Sequence, residues 1–311
     1  MGKKEKKSLG KRLMHGIMWC LGRLPLKVHY ALSRVAVWVM RDLMHYRRDE
    51  IVTNIARSFP DKKYDEVKAI ARQFYSHFGD IFAEAIWFGG CTGDRGAERL
   101  HRQHLVEITN TAELNEMVEN SSSIMVLNSH QGNWELQGGL ASYNYDPDHV
   151  LGITHKEVVV VYMNLHNALW NSVIGDMRCA PVAHLGYEGY VESGQILRYA
   201  VSHRREKKLY FFNTDQYPYG AAARCDVGEF LHQRTEAMTG GAQLACKLKM
   251  RVIYLRWEIA ERGRYRLTFQ PLFDNAADHT PEEIMTEYYR LLEKDIQAQP
   301  WNYLWSHKRW K

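Results

Sequence analysis

The spacing of apolar and polar positions changes along the chain. Residues 13 to 48 carry large apolar side chains, Trp19 and Trp38 among them, interleaved with single Arg, Lys and His residues. Pro25 interrupts this run, which therefore reads as two helices. Val52, Ile55 and Phe59 recur at near-helical spacing before Pro60, and Phe74, Phe78, Ile81 and Phe82 form one stripe of a helix from about Asp65 to Phe88. GGCTGDRG, residues 89 to 96, reads as a breaker. After it come short apolar runs at 123–129, 157–163, 208–213 and 251–259, each expected to be a buried strand, and 265–271 alternates as an antiparallel edge strand would. Helical segments are expected near 133–143, 166–177, 187–203 and 237–249. Thr280, Pro281 and Glu283 form a capping box that opens a last helix. Strands alternating with helices predict an α/β fold: a mixed, largely parallel sheet flanked by helices, behind an N-terminal helical region.

Charge divides the chain in the same place. Through Arg48 there are twelve basic and two acidic residues, +10, so the remainder carries −5 of the overall +5. This predicts a basic tail at 1–12, membrane-associating helices at 13–48, and a single domain at 49–311 with a helical lead-in to about 96 and an α/β body at 97–311. An acidic body excludes a general nucleic-acid surface. No stretch of about 18 consecutive apolar residues is present, so the N-terminal helices are expected to lie on a membrane, with aromatic and aliphatic residues in the acyl boundary and Lys/Arg on anionic headgroups. Packing of the same helices on the protein's own core is the alternative. A secretory leader fits poorly, because the apolar run from Ile17 to Leu21 is short and meets Arg23. The expected location is the cytoplasmic side of the cell inner membrane. Five scattered cysteines without a CxxC pair predict small buried hydrophobes rather than a metal or disulfide framework.

The segment richest in chemistry is SIMVLNSHQGNWELQGG, residues 123 to 139. A strand runs into a turn and then a helix, and ligands bind at the carboxyl ends of strands in such sheets. His130 sits at that end, with Glu135 five residues on. In one helix the two would lie about 140° apart. With His130 in the turn and Glu135 in the first helical turn, the carboxylate can fold back to the imidazole. Asn133 is a candidate N-cap. Such a pair is a general base and its orienter, able to take a proton from a substrate hydroxyl. A core histidine satisfied by a capping carboxylate is the alternative. No second histidine stands at the spacing of a zinc helix, so no metal is expected. Arg224, Arg234 and Arg251 read as solvated charges.

HQGNWEL, residues 130 to 136, resembles the H-x4-D/E motif of lysophospholipid acyltransferases, in the form found in late acyltransferases of lipid A biosynthesis, the lauroyl/myristoyl transferase family. Four further blocks are similar to that family and stand in the same order: YRRDEIVTNIARSFPD (46–61), KLYFFN leading into Thr214-Asp215-Gln216, FLHQRTEAMTGGAQLA (230–245) and QPWNYLWSHKRWK (299–311). The resemblance implies an acyltransferase acting on groups other than amino-acyl groups. It implies His130 as general base and Glu135 as orienting acid, with Asp215 and Gln216 facing the same cleft; Asn133, close to His130 in sequence, is a further candidate for substrate binding. Asp215 and Gln216 would either bind a headgroup or hold the site's loops. His307, Lys308 and Arg309 match the family's basic terminus, which could meet phosphates or simply fold onto the surface.

The implied reaction moves a fatty acyl chain from a thioester to a hydroxyl of a lipid A precursor at the inner membrane. Acyl carrier protein is the expected partner and donor, or coenzyme A in its place, with no cofactor. One departure stands out. The family's Tyr-Arg-Pro after the second strand is Tyr162-Met163-Asn164 here. An oxyanion or phosphate donor must then come from elsewhere, with Lys156, Arg178 or backbone N–H groups near Gly132 as candidates. The alternatives are an acceptor lipid of another kind, an aminolipid or phosphoglycolipid, or a catalytically silent lipid-binding protein of the same fold.

Overall fold

The computed structural model describes residues 9–220 and 222–310. Most of the expected basic tail, residues 1–8, lies outside the described residues. Helices α1 (Leu9–Gly22) and α2 (Leu26–Trp38) meet at Pro25, whose extended backbone starts α2. A π-helical turn at Val39–Leu43 and two left-handed residues, His45 and Arg47, lead into α3 (Arg48–Ser58). The long α4 (Tyr64–Phe88) then packs against α2 and α3. Phe74, Phe78 and Ile81 are buried as the stripe predicts, but Phe82 is exposed and only leans edge-on against Phe78. The expected breaker at 89–96 is only partly one, since Thr92 begins α5 (Gly93–Gln103).

The body follows as β1 (Val106–Ile108), α6 (Thr111–Glu119), β2 (Ile124–Asn128), a 3-10 helix (Trp134–Ser142), β3 (Val158–Tyr162), α7 (Ala168–Arg178), β4 (Tyr190–Glu192), α8 (Ile196–Ser202), β5 (Leu209–Asn213), β6 (Arg224–Phe230), β7 (Gln233–Met238), α9 (Gly240–Leu248), β8 (Arg251–Glu261), β9 (Arg264–Phe273) and α10 (Pro281–Ala298). Seven strands form one sheet in the order β1-β9-β8-β2-β5-β3-β4. All neighbours are parallel except β8 and β9. The expected mixed, largely parallel sheet with flanking helices is present.

Both faces of the central strand are covered, as a parallel sheet requires. Met125 and Leu127 point into a core shared with α4, α9 and α10, while Ile124 and Val126 join Trp87, Phe88 and Leu136 on the other face. Each such side chain, fully removed from water, contributes about 1.5–3 kcal/mol. Thr280 and Glu283 cap α10 reciprocally, Oγ1 accepting from Glu283 N at 3.2 Å and the carboxylate accepting from Thr280 N at 2.8 Å.

Several expectations are corrected. Strand β9 is antiparallel but not an edge, because β1 pairs along it. The helix expected at 187–203 gives up its start to β4, and the segment 133–143 is 3-10 rather than α. The antiparallel pair β6–β7 lies where only loop and helix were expected.

Candidate active site

Strands β2 and β5 are neighbours in register, with Asn128 opposite Asn213. The two chains leave the sheet side by side. His130 is two residues beyond Asn128, and Asp215 two residues beyond Asn213. Hydrogen bonds across the pair continue past the strands: Thr214 N donates to Asn128 O at 3.0 Å and Asn128 Nδ2 to Asn213 Oδ1 at 2.8 Å. The consequence is a contact between residues 85 apart in sequence. His130 Nδ1 lies 2.6 Å from Asp215 Oδ1, and the backbone N–H of His130 donates to Asp215 Oδ2 at 3.1 Å.

This pairing sets the tautomer. A carboxylate can only accept, so Nδ1 carries the proton and Nε2 is left as the basic nitrogen. Burial alone would raise the Asp215 carboxyl, but the adjacent imidazole and the hydrogen bonds from His130 outweigh it and hold the group below the usual carboxylate range. Gln216 lies over the free nitrogen, its Nε2 3.3 Å from His130 Nε2, while its Oε1 accepts from Tyr219 Oη. Tyr219 Oη in turn stands 3.3 Å from His307 Nε2. Burial pushes His307 down to about 4, so it is neutral near pH 7.

Glu135, the carboxylate expected to fold back onto the imidazole, makes no hydrogen bond to His130. Its carboxylate is taken by Arg178, the last residue of α7, through a two-pronged contact with Nε and Nη2, each at 2.6 Å, and by Trp134 Nε1 at 2.9 Å. The turn between the two residues explains this. Asn133 caps the 3-10 helix, its Oδ1 accepting from Glu135 N at 3.2 Å, which starts Glu135 on the side facing α7. Burial raises the Glu135 carboxyl, and the Arg178 charge together with the hydrogen bonds from Arg178 and Trp134 outweighs it and holds the group below the usual carboxylate range. Glu135 still stands near enough to His130 to feel its charge.

The turn itself is rigid. Gly132 has φ +57°, and a Cβ there would meet the Trp257 ring at 2.4 Å, so no other residue fits. Its N–H donates to Asn302 Oδ1 at 2.6 Å and its carbonyl lies 3.0 Å from His77 Nε2.

His130, Glu135, Arg178 and Gln216 line one cavity of about 490 Å³ at the carboxyl ends of β2, β3 and β5. That is within the roughly 300–1,000 Å³ of ligand pockets. Its remaining wall is mostly apolar: Val160, Val161, Ile196, Phe212, Met238 and the glycines that open α9. Met163 lines its mouth and is exposed. Arg178 uses three of its five N–H groups, two on Glu135 and one on Tyr190 Oη at 3.0 Å, and it too lines the cavity.

A family model described as bacterial lipid A biosynthesis acyltransferase matches residues 4–311, nearly the whole chain. The protein belongs to this family. No curated protein matches the chain.

In this acyltransferase the structure gathers His130, Glu135, Asp215, Gln216 and Arg178 into one site, with Asn133 buried behind it. It does not bring in Lys156, which precedes β3 and is exposed at the opposite end of that strand. Of the basic terminus, Arg309 is turned into the protein and Lys308 is exposed on the surface. Arg309 is 2% exposed and donates to Glu236 O at 2.6 Å and Tyr289 Oη at 2.8 Å, and Lys308 pairs with Glu50 at 3.1 Å. The backbone N–H of Gly132, another expected donor, is occupied by Asn302. Sequence reasoning missed the supports: His77 and Tyr190 come from distant segments that no local motif marks, and Asn302, although within the closing block, was not singled out there.

Proposed function

We propose that the protein transfers a fatty acyl chain from an acyl thioester, carried by acyl carrier protein, to a hydroxyl of a lipid A precursor at the cytoplasmic face of the inner membrane. Supporting this reading above all is His130, held by buried Asp215 with its basic Nε2 turned toward a mostly apolar cavity in a chain of this family. The acceptor hydroxyl displaces Gln216 from Nε2 and gives its proton to that nitrogen. The oxygen attacks the thioester carbonyl, the tetrahedral intermediate expels the thiolate, and the proton on Nε2 passes to the leaving sulfur. Asp215 at Nδ1 stabilises the imidazolium in between, and the nearby Glu135 charge adds to it. The two N–H groups that Arg178 does not spend on Glu135 and Tyr190 are the side-chain donors on hand for a developing oxyanion or a phosphate.

The N-terminal helices would seat the enzyme on the bilayer. Among the described residues no helix is long and apolar enough to cross a membrane. Yet α1 and α2 leave Ile17, Trp19, Leu32, Val35 and Trp38 exposed, which suits an interfacial position. Met163 and Leu165, both exposed, add apolar surface to the lining of the cavity.

The test is a mass-spectrometric transfer assay with acyl–acyl carrier protein and a tetra-acylated lipid A precursor, beside His130→Ala. One added acyl mass, absent from the variant, is expected. A second acceptor, an aminolipid or phosphoglycolipid, is favoured by Met163, which stands at the cavity mouth where the family has arginine. Thioester consumed without lipid A acylation would move the reading there, and no consumption would move it to a silent lipid-binding protein.

A further inference from the structure

Helix α4 carries a buried carboxylate that proton transfer at His130 does not use. Glu84 has no exposed surface. Its Oε1 accepts from Tyr30 Oη of α2 at 2.7 Å, and its Oε2 from Asn133 Nδ2 at 2.8 Å and Tyr265 Oη of β9 at 2.7 Å. A buried carboxylate is tolerated only where donors satisfy it, and here three donors from three separate elements converge. Asn133 lies between His130 and Glu135 and is pinned at both ends: Nδ2 by Glu84 and by Ile81 O at 3.3 Å, Oδ1 by the N–H of Glu135 at 3.2 Å. Without Glu84 the Asn133 side chain loses its stronger anchor, and the cap that aims Glu135 at Arg178 loosens with it.

We propose that Glu84 is a positioning residue that fixes the His130–Glu135 turn through Asn133 and, through Tyr30, ties that turn to α2, the helix whose outer face is exposed and apolar. Asp80, one turn earlier on α4, provides the contrast. It accepts from both Arg262 Nη2 at 2.6 Å and Nε at 2.8 Å and from Ser33 Oγ at 3.5 Å. Asp80 therefore joins α2 to the β8–β9 turn without touching the His130 turn. If Glu84 only held helices together, the two carboxylates would be equivalent.

The experiment compares Glu84→Gln, Tyr30→Phe and Asp80→Asn in the full chain, by amide hydrogen exchange across residues 130–136 and by kcat and KM for acyl–acyl carrier protein. The kinetic arm rests on the acyl-transfer reading; the exchange arm does not. Glu84→Gln and Tyr30→Phe are expected to speed exchange at 130–136 about tenfold against the rest of the chain. The same two should lower kcat on the order of tenfold at near-constant KM. Asp80→Asn should lower the melting temperature while leaving local exchange and kcat near wild type. Unchanged exchange at 130–136 in Glu84→Gln would overturn the proposal, as would Asp80→Asn matching it in exchange. Should Glu84→Gln fail to fold, Tyr30→Phe, which removes one hydroxyl, decides by the same readouts. A wild type that transfers no acyl group would sink the functional reading, and the exchange arm alone would then decide the role of Glu84.

Discussion

Replacing Asp215, which is buried, and Glu135, which is partly exposed in the cavity wall, should have opposite signatures, although both carboxylates lie within reach of the His130 charge. Asp215 contacts the imidazole directly at 2.6 Å. When Nε2 takes the substrate proton, a full positive charge appears beside it. Two unit charges about 4 Å apart interact by about 4 kcal/mol at an effective dielectric near 20. At about 1.4 kcal/mol per decade, Asp215→Asn should therefore cost about a thousandfold in kcat. Part of the loss would come through the tautomer, since an amide can present N–H to Nδ1 and force the proton onto Nε2. KM and melting temperature should move little. Glu135→Gln instead leaves the half-buried Arg178 without its counter-charge, which should cost stability, though less than the roughly 3–5 kcal/mol of a fully buried pair. Its effect on kcat, acting on His130 through space, should be nearer tenfold. The assay is steady-state acyl transfer beside thermal melting for each variant. A folded Asp215→Asn enzyme within tenfold of wild type would refute the reasoning. So would Glu135→Gln losing more kcat than Asp215→Asn at an unchanged melting temperature, because the imidazole would then answer to Glu135.

Replacing Arg178 and Glu135 together, as Arg178→Met with Glu135→Leu, should restore much of the stability either single change loses, since no partly desolvated charge is left unpaired; melting temperatures read the coupling. Gln216→Ala should raise the rate at which diethyl pyrocarbonate modifies His130, because Nε2 loses the side chain 3.3 Å above it; an unchanged rate would mean that Gln216 does not shield it. Burial holds His77 near 4, so the folded state favours its neutral form, and its contribution of about 3 kcal/mol is present above pH 6.5 and lost as pH falls toward 4. Burial pushes Glu84 up to about 7, which acts the other way: the folded state favours the protonated acid, and about 3 kcal/mol is lost as pH rises from 4.5 to 7. Melting profiles against pH should therefore tilt toward acid in His77→Gln and toward alkali in Glu84→Gln. Leu32→Glu and Trp38→Glu should each weaken binding to anionic phospholipid vesicles by tenfold or more, about the worth of one large apolar side chain; vesicle flotation reads it.

The parts of this molecule that were legible in the sequence are those whose signal is local. The apolar runs of β2, β3, β5 and β8 and the capping box of α10 sit where pattern placed them. The hairpin β6–β7 was hidden for two reasons. Its strands are largely polar, and its turn is made by Leu231 and His232, both with positive φ, in place of the Asn-Gly or Asp-Gly that ordinarily marks such a turn. Leu231 pays for that backbone with burial, at 1% exposure. Strands β1 and β4, three residues each, are too short to show a period. At the site, His130 was readable as a base at a strand end, but its partner was not. Nothing in residues 130 to 135 reveals that β2 will lie beside β5 in a register that sets Asn128 against Asn213, and only that register delivers Asp215.

The closing segment has, by the same reasoning, a role that does not depend on its charge. Its side chains form the back wall of both turns. Asn302 binds Gly132 N and Trp257 O, fixing the turn below His130, and Tyr303 Oη donates to Asp215 O at 3.4 Å. Tyr289 Oη reaches Thr214 O at 3.2 Å and receives Arg309 in turn. A base and its carboxylate emerging from two different strands need their loops held in place, and the bonds at the strand ends, Thr214 N to Asn128 O and Asn128 Nδ2 to Asn213 Oδ1, reach only the first residue beyond them. The constraint on residues 299–310 is therefore geometric. They stand behind the His130–Asp215 pair, and the basic character of Arg309 serves that wall, where the charge of Asp215 favours it.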